Sequence, residues 1–215
     1  PDGKVLDVDQ LRHAVQRARQ LGALLASDEC YAELGWDQQW ETQIIPSILD
    51  PKVIGDDLTG VLCVYSLSKQ SNLAGYRAAF AVGEASLIKG LVNLRMHSGL
   101  NTPLPVQRAM VVALGDEEHV AIEKEIYRER REVLLAAVRE YGFKLAESEA
   151  GLYLWATLGE DCFKTVDRMA ELGIVVVPGT FYGEFSHEYV RFSITATDDK
   201  IAEGARRLRD AIGLD

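Results

Sequence analysis

The sequence lacks the features that would indicate a membrane span, a metal centre or a disulfide framework. No apolar run reaches the roughly 18 to 20 residues that a membrane helix needs, and no signal peptide is visible. The three cysteines, Cys30, Cys63 and Cys162, are far apart and odd in number, which argues against disulfides and structural zinc. The four histidines show no paired ligand spacing. We therefore expect a cytoplasmic protein with reduced thiols, no metal and no membrane partner.

Positive charge is also scarce. The chain has 23 Lys and Arg against 33 Asp and Glu, a net charge of −10, and no cluster of basic residues. A nucleic acid is therefore excluded as the expected partner, which leaves small molecules and other proteins. With 215 residues and 47% hydrophobic content, the chain can bury one large core or two smaller ones.

The apolar pattern of the first half predicts an α/β fold. Residues 8–21 have apolar side chains at a helical spacing, and Gly22 follows as a stop signal. Three short apolar runs predict strands that are buried on both faces, as in a parallel or mixed sheet covered by helices. These runs are residues 23–27, 61–65 and 78–82.

The second half predicts a different architecture. Residues 116–140 form a long charged stretch with a helical apolar stripe, which suits a connector between domains. Beyond it, the pattern predicts a small α+β domain. Residues 151–158 and 189–195 alternate as half-exposed strands do, 173–177 is a short β-branched run, and helices are predicted at 162–172 and 198–212. We predict a large domain over 1–115, a connecting helix over 116–140 and a small domain over 141–215.

Two polar segments follow predicted strands. Asp28 and Tyr31 follow the first strand, and the segment from Ser66 through Ser68 and Lys69 to Arg77 follows the second. Ligands gather beyond the carboxyl ends of strands in such sheets, a guanidinium suits a phosphate, and a partly desolvated lysine is an amine nucleophile. Taken alone, the residues also fit an ordinary solvated loop and a turn-capping Asp beside a packed Tyr. We expect Gly75 to permit a close backbone approach.

The order of these motifs resembles the class I/II aminotransferases of the aspartate aminotransferase fold. The resemblance covers the whole chain and includes two later segments, the Pro178-Gly179 loop and the strand that carries Arg191. It implies the C-terminal part of a pyridoxal-phosphate-dependent transferase fold, with part of the large mixed-sheet domain and a small α+β domain. Because Pro1-Asp2-Gly3 resembles the end of a family turn, we expect this chain to be a fragment that works with an N-terminal part.

The resemblance also implies a role for each residue near the cofactor ring. Lys69 would form a Schiff base with pyridoxal 5'-phosphate and then move the substrate proton. Asp28 would keep the pyridine nitrogen protonated, so that the ring acts as an electron sink. Tyr31 would hydrogen-bond the ring oxygen.

Further residues are implied to hold the cofactor phosphate and the substrate. Ser66, Ser68 and Arg77 would bind the phosphate. Arg191 would bind the substrate carboxylate with two parallel hydrogen bonds; without the resemblance, a surface ion pair would be the simpler interpretation. The family is typically a homodimer.

A finer resemblance, carried by residues 27–36 and 68–77, is to the N-succinyldiaminopimelate aminotransferase group of lysine biosynthesis. It implies exchange of an amino group between N-succinyl-LL-2,6-diaminopimelate and 2-oxoglutarate. Three alternatives remain open: another class I/II aminotransferase, a C–S lyase on the same fold, and a non-catalytic effector domain of a transcriptional regulator.

Overall fold

The structure is a computed structural model, and it describes residues 1–213. The chain divides into two compact units. The unit named here N-terminal comprises Val5–Gly35 and Gln39–Glu123, and the unit named C-terminal comprises Pro1–Lys4, Trp36–Gln38 and the chain from Lys124 onward. No helix within residues 1–213 has both the length and the apolar character needed to cross a membrane.

The N-terminal unit is built on a three-stranded mixed sheet of order β1-β2-β3. Strand β1 is parallel to β2, with Leu25 opposite Val61, and β2 is antiparallel to β3, with Leu62 opposite Gly83. The mixed sheet agrees with the predicted fold class. Its elements are α1 (Val8–Gln20), β1 (Leu25–Asp28), α2 (Gln38–Thr42), α3 (Pro51–Ile54), β2 (Val61–Ser66), α4 (Leu67–Gln70), β3 (Ala79–Gly83), α5 (Ala85–His97) and α6 (Leu104–Leu114).

Helix α1 confirms the periodicity seen in the sequence. It starts with a capping box, in which the Asp7 side chain accepts from the Gln10 backbone and the Gln10 side chain accepts from the Asp7 backbone. Its apolar stripe buries Leu11 and Val15 against α3 and one face of the sheet. This core fixes the strand ends that carry the polar segments.

The expectation that the three strands are buried on both faces is wrong for the residues described. Burial alternates along β1, and in β3 Ala79 and Val82 are exposed. One sheet face packs on α1 and α3, whereas the other lines an open groove of about 430 Å³ with α5. Helices α5 and α6 were not predicted, and they leave Leu94, Val111 and Val112 largely exposed.

The C-terminal unit contains a four-stranded antiparallel sheet of order β4-β5-β7-β6 and matches the predicted α+β class. Helix α7 covers the predicted connecting stretch, but the proposed domain boundaries stay a prediction. The elements are α7 (Glu117–Tyr141), which begins in the N-terminal unit, β4 (Lys144–Leu145), β5 (Tyr153–Thr157), α8 (Cys162–Glu171), β6 (Val177–Pro178), β7 (Tyr189–Ser193) and α9 (Asp198–Asp210).

Two strand predictions in this unit need correction. Burial alternates along β7 but not along β5, where Trp155 is covered by the rings of Tyr182 and Tyr189 at centroid distances of 5.4 Å. The run 173–177 is mostly the exit of α8, because the Gly173 and Ile174 amides bond back to that helix. Only its last residue lies in β6.

The Pro178-Gly179 turn gives a stability test with an internal control. A Cβ on Gly179 would collide with the Ser186 carbonyl and lie 2.6 Å from the Tyr189 carbonyl, whereas a Cβ on Gly204 in α9 would meet nothing within 4 Å. Gly179→Ala should therefore destabilise the protein by about 2 kcal/mol or more through backbone displacement. Gly204→Ala should stabilise it by about 0.5–1 kcal/mol through helix propensity. Denaturant unfolding measures the free energy of unfolding of both variants. An equal change in the two would contradict the packing described.

Candidate active site

The parallel pairing of β1 and β2 brings their carboxyl ends to one edge of the sheet. Asp28 is the last residue of β1 and lies opposite Val64, and the next amide, that of Glu29, donates to the Val64 carbonyl at 2.9 Å. The Asp28 carboxylate is exposed and accepts from the Cys30 amide at 3.2 Å. The Asp28 carboxylate is thus held in place while it remains exposed.

Lys69 approaches this edge from helix α4, directly after β2. Its Nζ lies 5.6 Å from the centroid of the Tyr31 ring, and both side chains are half-buried. An ammonium over a tyrosine ring gains a cation–π interaction. The lysine and the tyrosine that the sequence placed in one site are therefore in contact.

The pKa of the Cys30 thiol depends on the charged groups around it. Its pKa is raised to about 11, first by burial and then by the hydrogen bond and negative charge of Asp28, while the Lys69 ammonium acts in the opposite direction. Both charges therefore lie within electrostatic range of one sulfur. Burial, followed by the nearby Glu29 carboxylate, similarly raises the pKa of Cys63 to about 12. Neither thiol is an activated nucleophile.

Two hydroxyls lie at the start of α4. Ser66 caps the helix by accepting from the Ser68 amide at 3.2 Å, and its Oγ lies 3.1 Å from the Ala78 carbonyl and 2.8 Å from Ser68 Oγ. A hydroxyl has a single proton. If Ser66 donates to Ala78, Ser68 donates to Ser66, so the pair has little freedom to reorient.

Arg77 lies close to these serines along the sheet, because Ser66 pairs with Ala79. Its guanidinium is exposed and donates to the Ala74 carbonyl at 3.1 Å. Arg77 has a φ of 51°, a left-handed conformation that costs a non-glycine residue about 1 kcal/mol. The prediction for Gly75 finds no support here, since its φ is not positive and a Cβ there would meet nothing within 4 Å.

Arg191 lies in the C-terminal unit on β7. Its guanidinium carbon is 4.1 Å from the Tyr153 ring centroid and 5.5 Å from that of Tyr182. Its Nε is buried without a hydrogen bond to residues 1–213, and within these residues the guanidinium contacts aromatic rings. The simpler interpretation, a surface ion pair, is not seen there.

Sequence reasoning missed the polar side chains behind Lys69. Gln70 is 7% exposed, and Ser71 contacts His119, to which the sequence analysis assigned no role. The residues of this contact are 48 positions apart, and no local pattern indicates it. A buried glutamine can be recognised as such only when its environment is known.

The chain matches a known protein family along most of its length. The family model for aminotransferase class I and II matches residues 1–208, and the chain belongs to that family. Members of the family depend on pyridoxal phosphate. The chain spans about half the length of the curated relatives it matches.

Two relatives and one solved structure illustrate the likeness. The chain is 50% identical over 208 residues to the 4-dedimethylamino-4-oxo-anhydrotetracycline transaminase of Streptomyces rimosus, covering 97% of this chain and 56% of the relative. It is 48% identical over 208 residues to a Mycobacterium tuberculosis protein named probable aminotransferase, covering 97% and 49%. A Thermus thermophilus structure described as a probable N-succinyldiaminopimelate aminotransferase has 29% identity and a TM-score of 0.82, covering 98% and 56%.

The side chains present fit the family's cofactor in their chemistry. A free amine, an open carboxylate and a phenol at one sheet edge match an aldehyde, a ring nitrogen and a ring oxygen. The hydroxyls of Ser66 and Ser68 and the guanidinium of Arg77 are donors suited to a phosphate. All of them belong to the N-terminal unit.

The opposing effects on Cys30 can be tested without any enzyme assay. Only the thiolate reacts with iodoacetamide, so in the cofactor-free protein Asp28→Asn should speed alkylation of Cys30 by lowering its pKa. Lys69→Met should slow it by raising that pKa. Timed alkylation followed by peptide mass spectrometry at pH 8.5 measures both rates, with Asp56→Asn as an exposed control. Identical rates in all variants would refute the placement of both charges beside Cys30.

Proposed function

We propose that the full-length protein is a pyridoxal-phosphate-dependent aminotransferase that moves an amino group between an amino acid and a 2-oxo acid. The observation that carries the proposal is the gathering of Lys69, Tyr31 and Asp28 at one edge of the sheet, with Ser66, Ser68 and Arg77 nearby. A structural sheet edge has no need for an amine over a phenol ring, with an exposed carboxylate that acts on the same neighbouring thiol as that amine.

When bound, pyridoxal phosphate supplies an aldehyde and an electron-withdrawing ring that stabilises negative charge at the substrate Cα. Asp28 would then hold a proton on the ring nitrogen through its charge, because its carboxylate is exposed and is fixed by the bond that it accepts from the Cys30 amide. Tyr31 donates to the ring oxygen. Ser66, Ser68 and Arg77 anchor the phosphate and so set the position of the reacting carbon.

Lys69 carries the chemistry of this chain. Its amine would be the nucleophile toward the cofactor aldehyde. Once displaced by the substrate amine, it would take the proton from the substrate Cα and deliver it to the former aldehyde carbon of the cofactor. One amine can serve as both base and acid because the proton stays on the same nitrogen between the two events. The half-buried setting of the side chain limits exchange of that proton with water.

Arg191 is proposed to bind the substrate carboxylate. Its contacts with Tyr153 and Tyr182 place the planar guanidinium against aromatic faces, which leaves its edge for two parallel hydrogen bonds. Such a clamp would orient the Cα–H bond for removal of the proton. We further propose that the native enzyme is a homodimer.

The decisive experiment removes the amine. Borohydride reduction of the loaded wild-type protein should attach the cofactor to the peptide that contains Lys69, detected by its added mass. Lys69→Ala should lose both this attachment and at least about 10³-fold of the transamination rate, because nucleophile and general base are lost together. Lys89→Ala, an exposed lysine of α5, is the matched control. Unchanged attachment in Lys69→Ala would show that another amine holds the cofactor.

Two substrates are favoured by separate observations. The sequence resemblance and the Thermus thermophilus structure favour N-succinyl-LL-2,6-diaminopimelate with 2-oxoglutarate, which would place the enzyme in lysine biosynthesis. The 50% identity to the Streptomyces rimosus enzyme favours a polycyclic ketone as amino acceptor. In both cases the residues named above act in the same way, and the difference lies in how the rest of the substrate is bound.

A paired-substrate assay separates these possibilities. If the first proposal is right, glutamate should form from 2-oxoglutarate when N-succinyl-LL-2,6-diaminopimelate is supplied, and omission of either compound should abolish it. A requirement for a ketone acceptor would favour the second. Release of ammonia and a thiol from a cysteine-derived donor, with no 2-oxo acid present, would indicate a C–S lyase. Cofactor binding without turnover of any donor would indicate an effector domain.

A further inference from the structure

Helix α4 carries Lys69 but is too short to be stable alone. It spans four residues, Leu67–Gln70, and a single helical turn costs more to nucleate than its hydrogen bonds return. Its position must therefore come from tertiary contacts. At the start of the helix these contacts are the Ser66 cap and the fully buried Leu67, which packs with Ala78 and Met110.

The end of the helix is held by a polar contact. The side chain of Gln70 is buried; its Oε1 accepts a hydrogen bond from the Tyr65 hydroxyl, and its Nε2 donates to Ser71 Oγ at 3.2 Å. Tyr65 is itself fixed by stacking on Phe80 at a centroid distance of 5.5 Å. Both polar ends of the glutamine amide therefore have partners.

From Ser71 the chain of contacts continues to the start of α7. His119 Nε2 lies 2.8 Å from Ser71 Oγ. The other ring nitrogen, Nδ1, lies 3.2 Å from Asp116 Oδ2 and makes no hydrogen bond within residues 1–213. The contact with Asp116 is thus electrostatic and favours a proton on Nδ1.

In the series of contacts from Tyr65 to His119, every hydrogen-bond donor is oriented toward the next residue of the series. Tyr65 donates to Gln70, and Gln70 donates to Ser71, so the Ser71 proton is free to bond His119 Nε2, with the ring proton toward Asp116. Burial, and then the nearby Glu33 carboxylate, raises the pKa of Tyr65, so the phenol stays a donor at neutral pH. A buried hydrogen-bond network in which each polar group has a partner favours one arrangement of its side chains over the alternatives.

We propose that Gln70, tied through Ser71 to His119, is a positioning residue that fixes the direction of the Lys69 amine. The inference rests on the proposed function for what that amine does. Ser66 and Gln70 hold the two ends of α4, and Lys69 lies between them. Loss of the contacts that hold Gln70 would let the C-terminal end of α4 fray. The Nζ of Lys69 would then occupy a wider range of positions.

The contacts from Gln70 through Ser71 to His119, called the tether below, are tested first in the cofactor-free, full-length protein by amide hydrogen exchange. His119→Leu should raise the exchange rate of amides in residues 67–72 by roughly tenfold, with β1 and β2 unchanged. His119→Gln should restore protection, because its amide can reach Ser71 as Nε2 does. Ser71→Ala removes the middle link with little change in volume, and His13→Leu, an exposed histidine of α1, is the control. Unchanged exchange in residues 67–72 would overturn the proposal, as would a rise spread evenly over the N-terminal unit.

The catalytic consequence is tested in the loaded enzyme. His119→Leu and Ser71→Ala should lower kcat on the order of 10- to 100-fold with KM changed less than about twofold, because a misplaced base slows proton transfer and not binding. A substrate deuterated at Cα should show a larger isotope effect on kcat in these variants than in the wild type. Local exchange without loss of kcat, or equal loss in His119→Gln and His119→Leu, would also overturn the proposal. If no amino donor is turned over by the wild type, the proposed function fails, whereas the exchange result still decides whether the tether exists.

Discussion

The hydrogen bond from the Glu29 amide to the Val64 carbonyl, at 2.9 Å, extends the parallel pairing of β1 and β2 to the point where both strands end. The relative placement of Asp28 and Lys69 depends on this register. A slip of one residue would turn Asp28 to the opposite face of the sheet. The Asp28 carboxylate would then lie away from Cys30, whose pKa is affected by both Asp28 and Lys69. The core of α1 and α3 beneath the strands holds the register through Val61 and Cys63, so the packing of the apolar face indirectly sets the geometry of the polar edge.

The same hydroxyls serve structure and proposed binding at the start of α4. Ser66 already caps the helix and contacts Ala78, so the two hydroxyl oxygens have fixed positions, and their protons would turn from these contacts to a phosphate bound there. Preorganised donors lose little entropy when an anion binds. The left-handed φ of Arg77 works in the same direction, because it returns the chain into β3 immediately beside the serines. The strain at Arg77 is offset by the pairing of β3 with β2, which begins two residues later.

The parts of the fold that depend on local pattern could be predicted from the sequence, and those that depend on remote partners could not. The periodicity of α1 and the polar residues at the ends of β1 and β2 indicated Asp28 and Lys69 as candidates, but only the family resemblance assigned them to one cofactor site. The burial of β5 was not foreseen because it depends on Tyr182 and Tyr189. For the same reason Gln70 carried no signal: its environment includes His119, which lies at the start of another helix. The role expected of Gly75 stays a prediction, and the left-handed backbone angles among the non-glycine residues of this loop occur at Asn72 and Arg77.

The arginines of the C-terminal unit show why Arg191 stands apart as a candidate anion ligand. Arg206 and Arg207 both bond the Glu203 carboxylate, which leaves their charges largely neutralised. Arg191 instead contacts Tyr153 and Tyr182, and a cation–π contact stabilises a guanidinium by about 0.5–2 kcal/mol without neutralising its charge. Its hydrogen-bonding edge therefore stays able to bind a carboxylate, and the buried Nε without a hydrogen bond among residues 1–213 is a donor that such a ligand could satisfy. An ion pair on β7 would have been the simpler way to stabilise this cation, and it would have removed the property that the proposed function requires.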